Sequence, residues 1–147
     1  MRPRVIVLVG LPGSGKSTYV EHLGGAGLAT DEFRRLLIDD PTDQTIHRRV
    51  FALLRQVLRQ RLDLRRPVTY VDATNLTPRE RRPYIALAQL FDADAEAVFF
   101  DVPLEICRER NRNRARIVPD TALMQMAARL VPPAVSEGFV RVLRRYS

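Results

Sequence analysis

The sequence predicts an α/β fold in three layers: a central parallel sheet of four or five strands with helices on both faces. Three observations carry that prediction. Apolar, β-branched runs that read as fully buried strands alternate with segments of helical periodicity. A glycine-rich loop joins the first of these strands directly to the first helix. A length of 147 residues with 46% hydrophobic side chains suits one such core. Residues 1–147 are therefore expected to form a single domain, with no repeat, linker or low-complexity segment.

Residues 5–9 (VIVLV) form an unbroken apolar run, as a strand buried on both faces requires. Residues 10–15 are the loop, and a helix is expected from Lys16 to the Gly24-Gly25 pair. Residues 28–30 suggest a short second strand ending close to Asp31, and residues 31–38 a helix broken by Asp39-Asp40-Pro41. Ile46, Val50, Leu53, Leu54, Val57, Leu58 and Leu62 then fall at helical spacing on one stripe, with Arg48, Arg55 and Arg59 on another face. Residues 68–72 (VTYVD) read as a strand. Thr77 as cap, Pro78 at the first helical position and Glu80 closing a capping box start a helix that runs to about Phe91. Residues 95–101 form a further strand, and Pro103 opens a helix through ICRERNRNR. Asp120 caps a last helix ending before Pro132-Pro133, while residues 139–143 fit a strand or a helix.

Charge narrows the partners. Lys and Arg total 24 against 17 Asp and Glu, a net charge of +7. The balance favours an anionic partner such as nucleic acid, against the plainer reading of a preference for arginine. That preference is real: the chain has 23 arginines and one lysine. The one lysine is Lys16, inside the glycine-rich loop, where a compact ammonium fits a tight phosphate nest better than a planar guanidinium. No apolar run approaches the length of a membrane span, and the single cysteine, Cys107, leaves no internal disulfide or multi-cysteine zinc site. A cytoplasmic protein with no membrane partner is expected.

Gly10-Leu11-Pro12-Gly13-Ser14-Gly15-Lys16-Ser17 fits the P-loop pattern G-x-x-x-x-G-K-[ST] between a strand and a helix. The backbone of Gly13, Ser14, Gly15, Lys16, Ser17 and Thr18 is expected to wrap the phosphates of a nucleoside triphosphate. Lys16 reaches the β and γ groups, and the Ser17 hydroxyl ligates Mg²⁺. A GTPase would read guanine through N-K-x-D, which a chain with one lysine cannot carry. The expected fold is thus P-loop kinase-like, with a helical lid and ATP as the donor.

A phosphotransferase also needs a carboxylate beside the acceptor hydroxyl and cations on the migrating phosphoryl group. Asp31, at the carboxyl edge of the sheet, is the candidate base; capping of the following helix is its alternative role. Arg34, one turn on, shares its face and is placed to hold an acceptor phosphate. In the run from Glu109 to Arg116, Arg110 and Arg114 stand at i,i+4 spacing on one helix end, as lid arginines would. Asp72 ends a strand as a magnesium-orienting carboxylate would, and Asn75 follows as a candidate acceptor contact; either could instead shape the turn. His22, His47 and Cys107 carry no partner spacing.

Taken in order, GLPGSGKST, TDEFRRLL, VDATNLTPRERR, DVPLEICRERNRNR and PPAVSEGF resemble the polynucleotide 5′-hydroxyl kinases over nearly the whole chain. The resemblance implies that Asp31 is the general base, that Arg34 binds the phosphate just 3′ of the acceptor nucleotide, and that Arg110 and Arg114 clasp the donor phosphates. It implies transfer of the γ-phosphate of ATP or another nucleoside triphosphate to a 5′-OH end of DNA or RNA. Two features depart from the family pattern. No phosphatase or ligase module accompanies these residues, and the lid runs into IVPDT after Arg116 rather than a longer aromatic and glycine-containing stretch.

The leading expectation is thus a polynucleotide 5′-kinase acting on single-stranded or frayed ends, with contacts concentrated on one or two phosphates beside the end. The alternatives are a small-molecule kinase for a sugar, nucleoside or antibiotic hydroxyl, and a nucleotide-dependent switch without transfer. DNA against RNA, ATP against GTP and oligomeric state, a homo-oligomer included, stay open; the basic face around Arg55 is a candidate subunit contact.

Overall fold

A computed structural model describes residues 1–114 and 118–146. The chain begins with β1 (Arg4–Val9), α1 (Lys16–Leu23), β2 (Ala26–Ala29) and α2 (Thr30–Ile38). It continues through α3 (His47–Asp63), β3 (Val68–Asp72), α4 (Pro78–Leu90) and β4 (Asp94–Phe100). It closes with α5 (Leu104–Arg112), α6 (Asp120–Arg129), a 3-10 turn (Val135–Glu137) and β5 (Arg141–Arg145). All four strand pairings are parallel, in the order β2-β3-β1-β4-β5. This is the P-loop kinase-like α/β fold.

The alternation of β1 explains the layers. Val5, Val7 and Val9 face one side, where they meet Val50, Leu54, Leu58 and Leu62 of α3 and Tyr84, Ile85 and Ala88 of α4. Ile6 and Leu8 face the other, against Val20 of α1, Cys107 of α5 and Leu123 of α6. A strand flanked by helices on both faces has no polar side, which is why residues 5–9 read as a continuous apolar run. Every strand points its carboxyl end the same way, so the loops after β1, β2 and β3 gather at one edge. Ligands bind at that edge in open parallel sheets.

Several boundaries move from their expected positions. β2 lies at Ala26–Ala29, and Asp31 sits in the first turn of α2 rather than at the end of the strand. Thr77 does cap α4, accepting from Glu80 N at 3.3 Å, but the Glu80 carboxylate reaches back to Leu76 N at 2.9 Å, one residue before the cap. Asp120 opens α6 without capping it; its carboxylate accepts from Arg108 at 3.0 Å instead. The open segment at 139–143 resolves into a buried Phe139 followed by β5. Among the described residues no helix is long and apolar enough to cross a membrane.

One carboxylate ties the rear of the sheet. Glu96 on β4, 7% exposed, accepts from Arg4 Nε at 2.6 Å on β1 and from Arg141 Nη2 at 2.7 Å on β5. The hydrogen bond from Arg4 holds its pKa below the ordinary value against the opposing effect of burial, and Arg141 adds to the lowering. A carboxylate with a depressed folded pKa contributes stability above the unfolded pKa and loses it as the pH falls through the folded one. Glu96→Gln is therefore expected to lower Tm at neutral pH while flattening its further fall between about pH 5 and about pH 3. Thermal melts across that window check this.

Candidate active site

The loop after β1 owes its shape to glycine. Gly13 and Gly15 adopt φ of 83° and 106°, and a Cβ on Gly13 would lie 2.9 Å from the Cys107 carbonyl oxygen. This turn aims successive backbone groups inward and delivers the chain into α1 at Lys16. Ser14 is fully buried, and its hydroxyl finds no hydrogen-bond partner among the described residues. Lys16 is 8% exposed, and its Nζ donates to Gly10 O and Leu11 O, both at 2.9 Å. Burial pulls its pKa from 10.5 down to about 8, partly offset by Asp72.

Ser17 Oγ donates to Asp72 Oδ2 at 2.8 Å across the gap between α1 and the end of β3. Burial raises the Asp72 pKa, opposed by Lys16 and by the Ser17 hydrogen bond. The two side chains form a hydroxyl–carboxylate pair suited to a hard cation that completes its shell with phosphate oxygens and water. Among the described residues there is no group of three or more His, Cys, Asp or Glu side chains that would hold a metal by itself.

Asp31 faces the same cleft with its side chain 39% exposed, more open than a buried base. Arg34 Nη1 donates to Asp31 Oδ1 at 3.3 Å and Nη2 to Gln44 Oε1 at 3.3 Å, and Arg34 is only 4% exposed. The shared face expected from one helical turn is present, with the guanidinium drawn onto Asp31. Arg110 Nη1 donates to Gly13 O at 3.3 Å. Arg114 lies beyond the end of α5 at Arg112, so the two arginines do not share a helix as their i,i+4 spacing suggested. Both still line the cleft with Lys16, Ser17, Asp31, Arg34 and Asp72. Ala115, Arg116 and Ile117, part of the expected lid run, lie outside the described residues.

Asn75 lines the cleft, with its amide nitrogen turned to the backbone. It is 2% exposed at φ 48°, and its Nδ2 donates to Leu8 O at 2.7 Å. Its amide nitrogen is committed to the end of β1, so it shapes the turn, the alternative open to it in the sequence, rather than offering that donor to an acceptor. Thr74 O accepts from Gly10 N at 3.1 Å beside it. Two further buried polar side chains, given no separate role in the sequence, hold the loops around the cleft. Arg81, fully buried, donates from Nη1 to Asn75 O at 2.8 Å and from Nε and Nη2 to the Glu137 carboxylate, both at 2.9 Å. Asn111, 1% exposed, accepts from Val118 N at 3.0 Å and so closes the chain back onto α5. All three lie inside the stretches that carry the family resemblance, and Arg81 also stands at helical spacing from the buried Tyr84 and Ile85 of α4.

A P-loop at the carboxyl edge of a β2-β3-β1-β4-β5 sheet, with acidic and arginine side chains around it, defines the class of P-loop kinase domains. A family model described as an AAA domain matches residues 5–133, and the chain belongs to that family. It is 25% identical over 143 residues to a bifunctional polynucleotide phosphatase/kinase of Schizosaccharomyces pombe, covering 94% of this chain and 32% of that protein. It superposes on a chain of the Pnkp1/Rnl/Hen1 RNA repair complex with a TM-score of 0.75 at 24% identity, covering 88% of this chain and 44% of that one. It also matches a gluconokinase from Sinorhizobium meliloti with a TM-score of 0.61 at 22% identity, covering 98% and 83%. The chain thus spans about a third of the curated relative it matches.

Two outcomes test this geometry. Lys16→Met removes a buried charge, so the nucleotide-free Tm is expected to hold or rise while the rise in Tm on adding ATP disappears. Arg81→Met leaves Glu137 unpaired and is expected to cost about 3–5 kcal/mol in denaturant unfolding; the Arg81→Met/Glu137→Met pair recovers most of it.

Proposed function

We propose that the chain transfers the γ-phosphate of ATP to the 5′-OH end of DNA or RNA. The observation that carries the reading is the placement of Asp31, held by Arg34, in one cleft with the loop that holds the donor. The similarity to the polynucleotide phosphatase/kinase, which extends over 94% of this chain, supports the choice of acceptor.

In this reading the acceptor hydroxyl gives its proton to the Asp31 carboxylate as its oxygen bonds to the γ-phosphorus. The bond from that phosphorus to the bridging oxygen breaks, and ADP leaves. Lys16 exchanges the carbonyls of Gly10 and Leu11 for phosphate oxygens. Arg110 likewise leaves Gly13 O and, with Arg114, neutralises the migrating group. Ser17 and Asp72 would hold Mg²⁺, whose role is to offset phosphate charge. The whole chain 1–147 acts as one kinase domain, with the 5′-OH nucleic acid as partner.

A second reading is a small-molecule kinase. The gluconokinase match covers nearly the whole of this chain, and Arg34 is drawn onto Asp31 rather than laid open for an acceptor phosphate. Because Arg34 supports the base under either reading, Arg34→Ala lowers activity in both; the acceptor itself decides. Labelled γ-phosphate from ATP is offered to 5′-OH DNA and RNA strands, matched 5′-phosphorylated strands and gluconate. Labelling of the 5′-OH strands alone is expected, and labelling of gluconate alone overturns the reading. Asp31→Asn is expected to lower kcat about 10²- to 10⁴-fold while the ATP-dependent rise in Tm persists.

A further inference from the structure

The cleft does not end at Asp31. The open cleft, about 2090 Å³ in volume, takes in the P-loop, Asp31 and a wall beyond them. Its lining extends along α3 and the start of α4. On α3, Arg48, Phe51, Ala52 and Arg55 line it. Their spacing is i, i+3, i+4, i+7, a single stripe beside the buried stripe of Val50, Leu54, Leu58 and Leu62. Arg79 and Pro83 of α4 line the opposite side. Arg59, grouped with Arg48 and Arg55 in the sequence, turns away and lies 5.5 Å above the Phe91 ring.

The chemistry of this wall is specific. Arg48, Arg55 and Arg79 make no ion pair among the described residues, whereas Arg35 and Arg129 in the same cleft pair with Glu32 and Glu80. Beside the two α3 arginines lies an aromatic pair: the Phe51 ring packs 4.5 Å from the His47 ring, centroid to centroid, tilted at 44° to it. Seven residues of helix separate Arg48 from Arg55 by about 10 Å of backbone rise, a spacing from which two guanidinium groups can reach neighbouring phosphates of one strand. Spaced guanidinium groups beside one exposed and one half-buried ring match a chain of phosphates whose bases are unstacked and free to lie on those rings. A duplex hides its base faces, and a sugar has no charge to offer.

We propose that the α3–α4 wall is a track for a single-stranded nucleic acid leading away from Asp31, with Arg48, Arg55 and Arg79 on successive phosphates and His47 and Phe51 under the bases. This extends contact beyond the one or two phosphates beside the end. It rests on the 5′-hydroxyl reading for the direction of the strand, though not for its presence.

The test is fluorescence anisotropy with 3′-labelled, 5′-OH DNA and RNA strands of about two to ten nucleotides. It uses the intact chain, Arg48→Ser/Arg55→Ser and, as a charge control outside the cleft, Arg59→Ser; melts with and without ATP check that each is folded. Affinity is expected to rise with length to a plateau near four nucleotides or more, about the reach of one binding groove. The double variant is expected to bind such strands about tenfold or more weakly, with the salt slope reduced by about 1.4 for two lost phosphate contacts. Arg59→Ser is expected to bind as the parent does. Equal loss in Arg59→Ser, unchanged binding by the double variant, or equally tight arginine-dependent binding of a blunt duplex overturns the track. The same samples are assayed for transfer from ATP. Strands bound through Arg48 and Arg55 but never labelled leave the track standing and end the 5′-hydroxyl reading. Strands labelled by the double variant with the parent's length dependence leave that reading standing and end the track.

Discussion

A positive charge kept out of water governs this molecule. The Lys16 ammonium has little contact with solvent, and its nearest partners are two backbone carbonyls of its own loop. Neutral acceptors compensate a buried ammonium poorly, which is why its affinity for the proton falls. The surroundings follow from that tension. The glycines supply the turn that brings the carbonyls within reach, and Asp72 offsets the charge from the neighbouring strand. Arg114 adds to the repulsion that a polyphosphate would relieve, since it also lowers the Lys16 pKa. The free loop is thus electrostatically poised for anions.

Much of this was legible in the amino-acid sequence because it is local. Strand β1, the glycine loop and the stripe of α3 each follow from short-range periodicity and turn chemistry. The residues gathered at the carboxyl edge followed from the topology those elements imply. Asp31 shares a cleft with the loop even though β2 ends two residues before it.

The rest depended on contacts between distant residues. Asn75 reads as a polar residue at a strand end in either role; only the position of Leu8 O, 67 residues away, decides that its amide nitrogen is spoken for. Arg81 and Glu137 are 56 residues apart and pair only because α4 packs beside the 3-10 turn. The α3 arginines looked equivalent in the sequence, since helical spacing places side chains on a face without saying what that face meets. Packing of Arg59 on Phe91 separates it from the other two. The same limit applies to the acceptor. A phosphate loop and a sheet edge are common to kinases of many substrates, and the difference lies in side chains on the surrounding walls.

Strand β5 bears on why so many of the cations are arginine. It is the last strand of the sheet, bordered on one side only, and four of its five residues are exposed. An open strand margin of that kind is a template on which another chain can hydrogen-bond and propagate. Here it carries Arg141, Arg144 and Arg145, the first two anchored by Glu96 and Asp101 and the last laid over Tyr19. The long charged side chains along this margin are the kind of cover that makes an edge strand a poor template for another chain.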